Sequence, residues 1–269
     1  MATPPEVRAA ILRHQAAVRQ VRRQVERYLR MVWGGLGSYR DADIDRMVAA
    51  VLPVTLGAQQ RVAALTDVYL ASVATASGFP QPAAGIPTGE VTGRALRGVD
   101  PREVYRRPGS TVWTALSEGE PLSAAVALGG QRLLSIAMTD LQLAKTKTAQ
   151  YRQGRDNSVV GYRRVLTGLE NCGLCVVAST QRYHRGNLLP IHPGCDCDIA
   201  EIRGDVDPGQ VIDPERLEQM HADAQAQLGI DADRNARIPD YRQITVRDHG
   251  EYGPTLTWRR HDFTGPSDI

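Results

Sequence analysis

Apolar residues recur every three or four positions near the start of the chain, at Val7, Ile11, Val18, Val21, Val25, Tyr28 and Val32, with His14 filling the gap between Ile11 and Val18. That spacing predicts an amphipathic helix over residues 5–32. It is also heptad spacing, with Arg8, Arg13, Arg19, Arg22, Arg23, Arg27 and Arg30 on the remaining faces. The stripe therefore suits either the chain's own core or a partner helix. His14 is expected to be a tolerated seam residue rather than a ligand. Gly34, Gly35 and Gly37 stop the helix, and Asp41 is placed to cap a second one through Ile44, Met47, Val48 and Val51. Pro53 is expected to kink or divide that helix before it resumes through Val62, Leu65, Val68 and Tyr69 and ends at Ala76-Ser77-Gly78.

The pattern then breaks. Pro80, Pro82, Pro87, Pro101 and Pro108, interspersed with Gly78, Gly85, Gly89, Gly93 and Gly98, predict a linker or arm with at most short helical turns. Pro121 opens a third main helix whose apolar face runs through Leu122, Val126, Leu133, Ala137 and Leu141 toward Lys147. Gly129-Gly130 costs that helix about 1 kcal/mol per residue relative to alanine, so the helix is expected either to bend there or, as the preferred reading, to pack closely against a neighbour. A short helix is expected over 214–228. The tail from Asp240 to Trp258 alternates enough for one or two short strands, on this chain or on a neighbour, with a frayed terminus as the alternative. The domain reading is a helical region 1–78, a Pro/Gly-rich linker or arm 79–118, an α+β domain 119–203 and a C-terminal helix and extended tail 204–269. The fold class is thus a mainly α N-terminal region with a small α+β C-terminal domain closed by a Cys/His cluster.

Length and composition constrain this picture without changing it. The chain has 269 residues, 42% hydrophobic, 23% charged and only 5% aromatic. This is globular usage, favouring helices with small side chains over a large all-β core. Lys and Arg total 32 against 30 Asp and Glu, for a net charge of +2, too even to predict a nucleic-acid binder, although local patches can still matter. Without a secretory h-region or an unbroken apolar run of about 18 residues, the chain is expected in the cytoplasm and off the membrane.

The candidate chemistry is concentrated in one stretch. All four cysteines, Cys172, Cys175, Cys195 and Cys197, fall in the pattern C-x2-C-x16-H-x2-C-x-C, whose histidine is His192. Thiolates two residues apart in a turn face one point, so two such knuckles can converge on a tetrahedral Zn²⁺. Five donors for four positions would make a closed, structural site. Disulfides and unliganded thiols remain open alternatives, as does a catalytic Cys–His pair using Cys172 or Cys175 with His192 or His184, although a nucleophile needs only one thiol. Ser123, Ser135, Ser158, Ser179, His184, His221 and His249 supply hydroxyls and imidazoles, but no Gly-x-Ser-x-Gly elbow and no HExxH occurs, so no catalytic residue is assigned. Arg152, Arg155, Arg163, Arg164, Arg182 and Arg185, interleaved with Tyr151, Tyr162 and Tyr183, suit phosphate or an acidic protein surface, or else a solvated basic face.

A Tyr-rich strand, the C-x2-C pair, the basic Tyr183, Arg185 and Gly186, and the ending Leu189-Pro190-Ile191-His192-Pro193-Gly194-Cys195-Asp196-Cys197 together resemble the Mu F-like head-morphogenesis family of tailed bacteriophages. The likeness spans roughly residues 140–203 and is strongest to versions from phages of actinobacteria. Asp196 stands where the family pattern usually has a basic residue. The resemblance implies a minor capsid protein bound at or near the portal inside the head, assembled in the host cytoplasm and acting in head morphogenesis. Its implied partners are the portal and the major capsid or scaffold protein, with packaged DNA reached through the Arg-rich faces. Chains of this kind are also labelled capsid maturation proteases, which is the alternative function; a cytoplasmic zinc-ribbon-like nucleic-acid binder unrelated to phage heads is a third reading of the residues.

Overall fold

The first apolar stripe forms α1 (Pro5–Gly34), and its whole inward face is used within the chain. A computed structural model describes residues 5–80, 85–166, 175, 178–179, 182–185 and 197–207, with the backbone of 244–248 and 254–258. In it, Val18, Val21, Val25, Leu29 and Trp33 join a core with the second, fourth and fifth helices, while Val7, Ala10 and Ile11 join a second core beneath the sheet. The heptad stripe is therefore spent on the chain's own interior, as the bulk of amphipathic helices spend theirs.

The second helix, α2 (Asp41–Ala76), runs unbroken through Pro53, where a kink or division was expected. Pro53 is exposed, and the turns around it are held by buried Val51, Leu52 and Thr55, so packing offsets the one helical hydrogen bond that proline removes. Its start is fixed by Asp43, whose carboxylate accepts the Ser38 backbone N–H at 2.7 Å. Asp41, the expected cap, is instead the first helical residue. At the far end Gly78, with φ 78°, lets its own N–H reach the Thr75 carbonyl and that of Phe79 the Ala74 carbonyl, the paired bonds of a Schellman close.

Residues 79–118 require the largest correction. The described part of this Pro/Gly-rich stretch contains α3 (Thr88–Val91), a 3-10 turn (Gly93–Leu96) and a packed helix, α4 (Pro101–Ser117). Asp100 caps α4 by accepting the Arg102 N–H at 2.8 Å, and Pro101 occupies the first turn, where its missing N–H costs nothing. Pro108 and Gly109 lie inside α4 and are buried, because the α4 backbone passes close to α2 there: a Cβ on Gly109 would sit 2.7 Å from Ile44.

The fifth helix, α5 (Leu122–Gln153), meets the close-packing expectation at Gly129-Gly130. A Cβ on Gly129 would lie 2.6 Å from Val112 and 2.7 Å from Trp33, whose indole N–H donates to the Val126 carbonyl at 3.1 Å. The N-terminal half of α5 belongs to the helical core; its C-terminal half, through Ala149, supports the sheet. Helical region and α+β region thus share one long helix.

The sheet is β1 (Val159–Val165) flanked by β2 (Arg182–His184) and β3 (Asp198–Arg203), both antiparallel to it in the order β2-β1-β3. The tail strands β4 (Ile244–Asp248) and β5 (Pro254–Trp258) pair with each other, Ile244 opposite Trp258. The helix expected over 214–228 lies outside the described residues. The architecture is mainly helical, with a small antiparallel sheet toward the C-terminal part.

Candidate functional site

Of the five predicted donors, Cys175 and Cys197 are described and both are buried; Cys172, His192 and Cys195 lie outside the described residues. Cys197 immediately precedes β3 and is fixed from two directions. Its carbonyl accepts Lys145 Nζ at 2.7 Å and Gln142 Nε2 at 3.2 Å, both from α5. Its sulfur accepts an N–H of Arg164, from β1, at 3.5 Å. The Arg164 guanidinium also lies 5.9 Å and 5.6 Å from the rings of Tyr162 and Tyr183, which stack on each other at 5.1 Å. Burial raises the Tyr162 hydroxyl to about 12 even against the Arg164 charge, so it remains a neutral phenol. The donor chemistry here is a buried sulfur facing a cation. Among the described residues no group of three or more His, Cys, Asp and Glu gathers as a metal site.

Directly beneath lies a constellation that the sequence reading missed. His14 Nδ1 meets Asp198 Oδ2 at 2.5 Å, its Nε2 meets Thr66 Oγ1 at 3.2 Å, and its ring stacks on Tyr69 at 4.4 Å. Tyr69 in turn donates to the Ile199 carbonyl at 2.5 Å, and Lys145 Nζ stands 4.0 Å from Asp198 Oδ1. Burial alone would raise the Asp198 carboxyl, but the charges of His14 and Lys145 outweigh it and hold it below the ordinary value. His14 is thus more than a seam residue: with Tyr69 and Lys145 it binds α1, α2 and α5 to the start of β3. The only sequence signal was a histidine on an apolar stripe; its partner is 184 positions away.

Thr66, His14 and Asp198 have the outline of a hydrolase triad but not its chemistry. All three are buried, and the Thr66 hydroxyl donates to the Val62 carbonyl at 2.8 Å, so its proton is already committed. Ser158 is bound to Asp156 and Arg203, and Ser123 is exposed on α5. His221 and His249 lie outside the described residues.

The six arginines around the cysteines do not share one solvated face. Arg152 and Arg164 are buried, Arg152 against Asp67, and Arg163 is bound by both oxygens of Asp207 at 2.6 and 2.9 Å. Arg155, which stacks on Tyr151, is exposed together with Arg182 and Arg185. A second buried polar cluster lies deeper in the bundle, where Asp140 accepts from Arg97 at 2.5 Å, Tyr105 at 2.9 Å and Gln59 at 3.4 Å. It fastens the 3-10 turn, since Gln59 also accepts the Gly93 N–H. Comparison with known proteins returned no matching family model, no matching curated protein and no matching solved structure.

Proposed function

We propose that this chain is a Mu F-like minor head protein of a tailed bacteriophage, acting in capsid assembly at or near the portal inside the head, with Zn²⁺ as a structural ion. The observation that carries the proposal is the environment of Cys197, the last residue of the His-Pro-x-Cys-x-Cys ending. Its sulfur is buried against the sheet and accepts an N–H from the Arg164 guanidinium, and its carbonyl is pinned by α5, so the sulfur is held in a fixed position as a ligand would need to be. Cys172, Cys175, His192, Cys195 and Cys197 are the candidate ligands, and a bound ion would staple the C-x2-C segment to the strand that follows the second pair. The proposed role is binding and assembly, with the portal and the major capsid or scaffold protein as partners.

Two measurements test this. Anaerobically purified protein should contain about one equivalent of zinc, and Cys197→Ser should lower both metal content and melting temperature. Metal-free protein of equal stability would remove the zinc site. Quantitative mass spectrometry of mature particles should find the intact chain at low copy number, with the N-terminus of the major capsid protein unchanged when the chain is lost. Its absence from particles, together with loss of capsid trimming, would make it a capsid maturation protease instead.

A further inference from the structure

The charge of this chain is unevenly distributed. α1 carries seven arginines and two glutamates, so a chain with a net charge of +2 is net acidic elsewhere. Arg8, Arg13, Arg23, Arg27 and Arg30 are exposed along the outer face of α1, opposite the buried Val7, Ile11, Val18, Val25 and Leu29. At 1.5 Å per residue, the row from Arg8 to Arg27 is about 29 Å long.

The neighbouring helix does not neutralise it. α2 runs antiparallel, with His14 opposite Thr66 and Tyr28 reaching the Ala50 carbonyl. The positions of α2 alongside this row that are not buried include Pro53, Val54, Gly57, Gln60, Arg61, Ala64 and Val68. The one carboxylate in that stretch of α2 is Asp67, which pairs with Arg152. On α1, Glu6 stands at one end, and Glu26 is paired with Arg30 at 2.8 Å near the other.

We infer that the α1 outer face is a binding surface for the phosphate backbone of duplex nucleic acid, without base recognition. The row is built of arginine, whose guanidinium matches phosphate oxygens in pairs; the chain's two lysines, Lys145 and Lys147, are both on α5. With one phosphate per about 3.4 Å along a strand, the row spans roughly eight phosphates. An anionic membrane fits less well, because a helix lying on lipid inserts its apolar face and that of α1 is buried in the core. The inference rests on this charge geometry alone and stands whether or not the chain is found in phage heads.

The test is fluorescence anisotropy with the full chain and two unrelated 30-bp duplexes at several salt concentrations. Both duplexes should bind equally, with log affinity falling against log salt at a slope of about −3 to −5. The triple variant Arg13→Gln/Arg23→Gln/Arg27→Gln should keep its circular-dichroism melting curve, bind at least tenfold more weakly, and lose about 2.7 from the slope, at about 0.9 per contact. Arg155→Gln/Arg182→Gln/Arg185→Gln should bind as the parent does. No binding by the parent, equal binding by the α1 triple variant, or tighter arginine-dependent binding to phosphatidylglycerol vesicles or polyglutamate would overturn the inference.

Discussion

His14 and Asp198 illustrate how much a single buried contact controls here. Each side chain is 2% exposed, and among the described residues each is bonded by the other and by a group equally remote from water, Thr66 or the Ile199 backbone. Removing one partner strands a buried carboxylate or imidazole. His14→Leu should therefore destabilise the fold by about 3–5 kcal/mol, read as a shift in the urea midpoint. His14→Leu/Asp198→Leu should cost less than the two single changes added together. Strict additivity would show that the pair is not coupled. The same logic applies to Val21, a heptad position whose side chain is 3% exposed in the chain's own core. Val21→Asp should therefore unfold the bundle, read as loss of the cooperative urea transition.

At the level of elements, the two prolines inside helices mark the limits of local rules. Pro53 and Pro108 each remove a backbone donor, yet α2 and α4 continue through them. The local penalty is set against burial of whole helix faces, each large side chain worth about 1.5–3 kcal/mol, and burial wins. Because Pro53 is exposed, its ring contributes little to that packing. Pro53→Ala should restore the missing bond and stabilise the protein by about 1–3 kcal/mol, raising the melting temperature by several degrees. A lower melting temperature would mean the ring shapes α2 in a way the bundle needs. Asp100-Pro101 was the legible start signal for α4, an acidic cap before a first-turn proline. It was masked by the surrounding glycines and prolines, which by composition alone describe a loop.

For the whole molecule, one buried and one partly exposed carboxylate make stability depend on pH in two opposing directions. Burial is the largest influence on Asp140 and raises it above the ordinary aspartate value, Arg97 offsetting this only in part. Its favourable contribution is therefore full below about pH 4 and is lost as pH rises through the raised folded value. Burial pushes Asp156 the same way, but its hydrogen bonds from Ser158 and Arg203 outweigh it and lower the carboxyl. Its contribution is present above about pH 4 and lost as pH falls through the lowered folded value. Urea midpoints measured against pH should show Asp140→Asn losing less stability than the parent from pH 4 to 7, and Asp156→Asn losing less below pH 4. Profiles parallel to the parent's would contradict both assignments.

Features that are periodic or local could be read directly from the chain. The stripe from Val7 to Val32 fixed α1, the small-residue pair Gly129-Gly130 announced a close helix contact, and the alternation in the tail announced β4 and β5. The C-x2-C and C-x-C spacings are equally local, and of their five candidate donors Cys175 and Cys197 fall among the described residues. Long-range packing settles that Pro53 is tolerated, that residues 101–117 form a helix, and that His14 meets Asp198 beneath Cys197. It also separated arginines that look alike in the sequence, burying Arg152 and Arg164 while leaving Arg13, Arg23 and Arg27 on the surface. The physical reason is common to all of these. Helix stripes and strand alternation arise from neighbours a few residues apart, whereas burial, ion pairing and the tolerance of a proline depend on surfaces contributed by distant segments, which only the folded chain brings together.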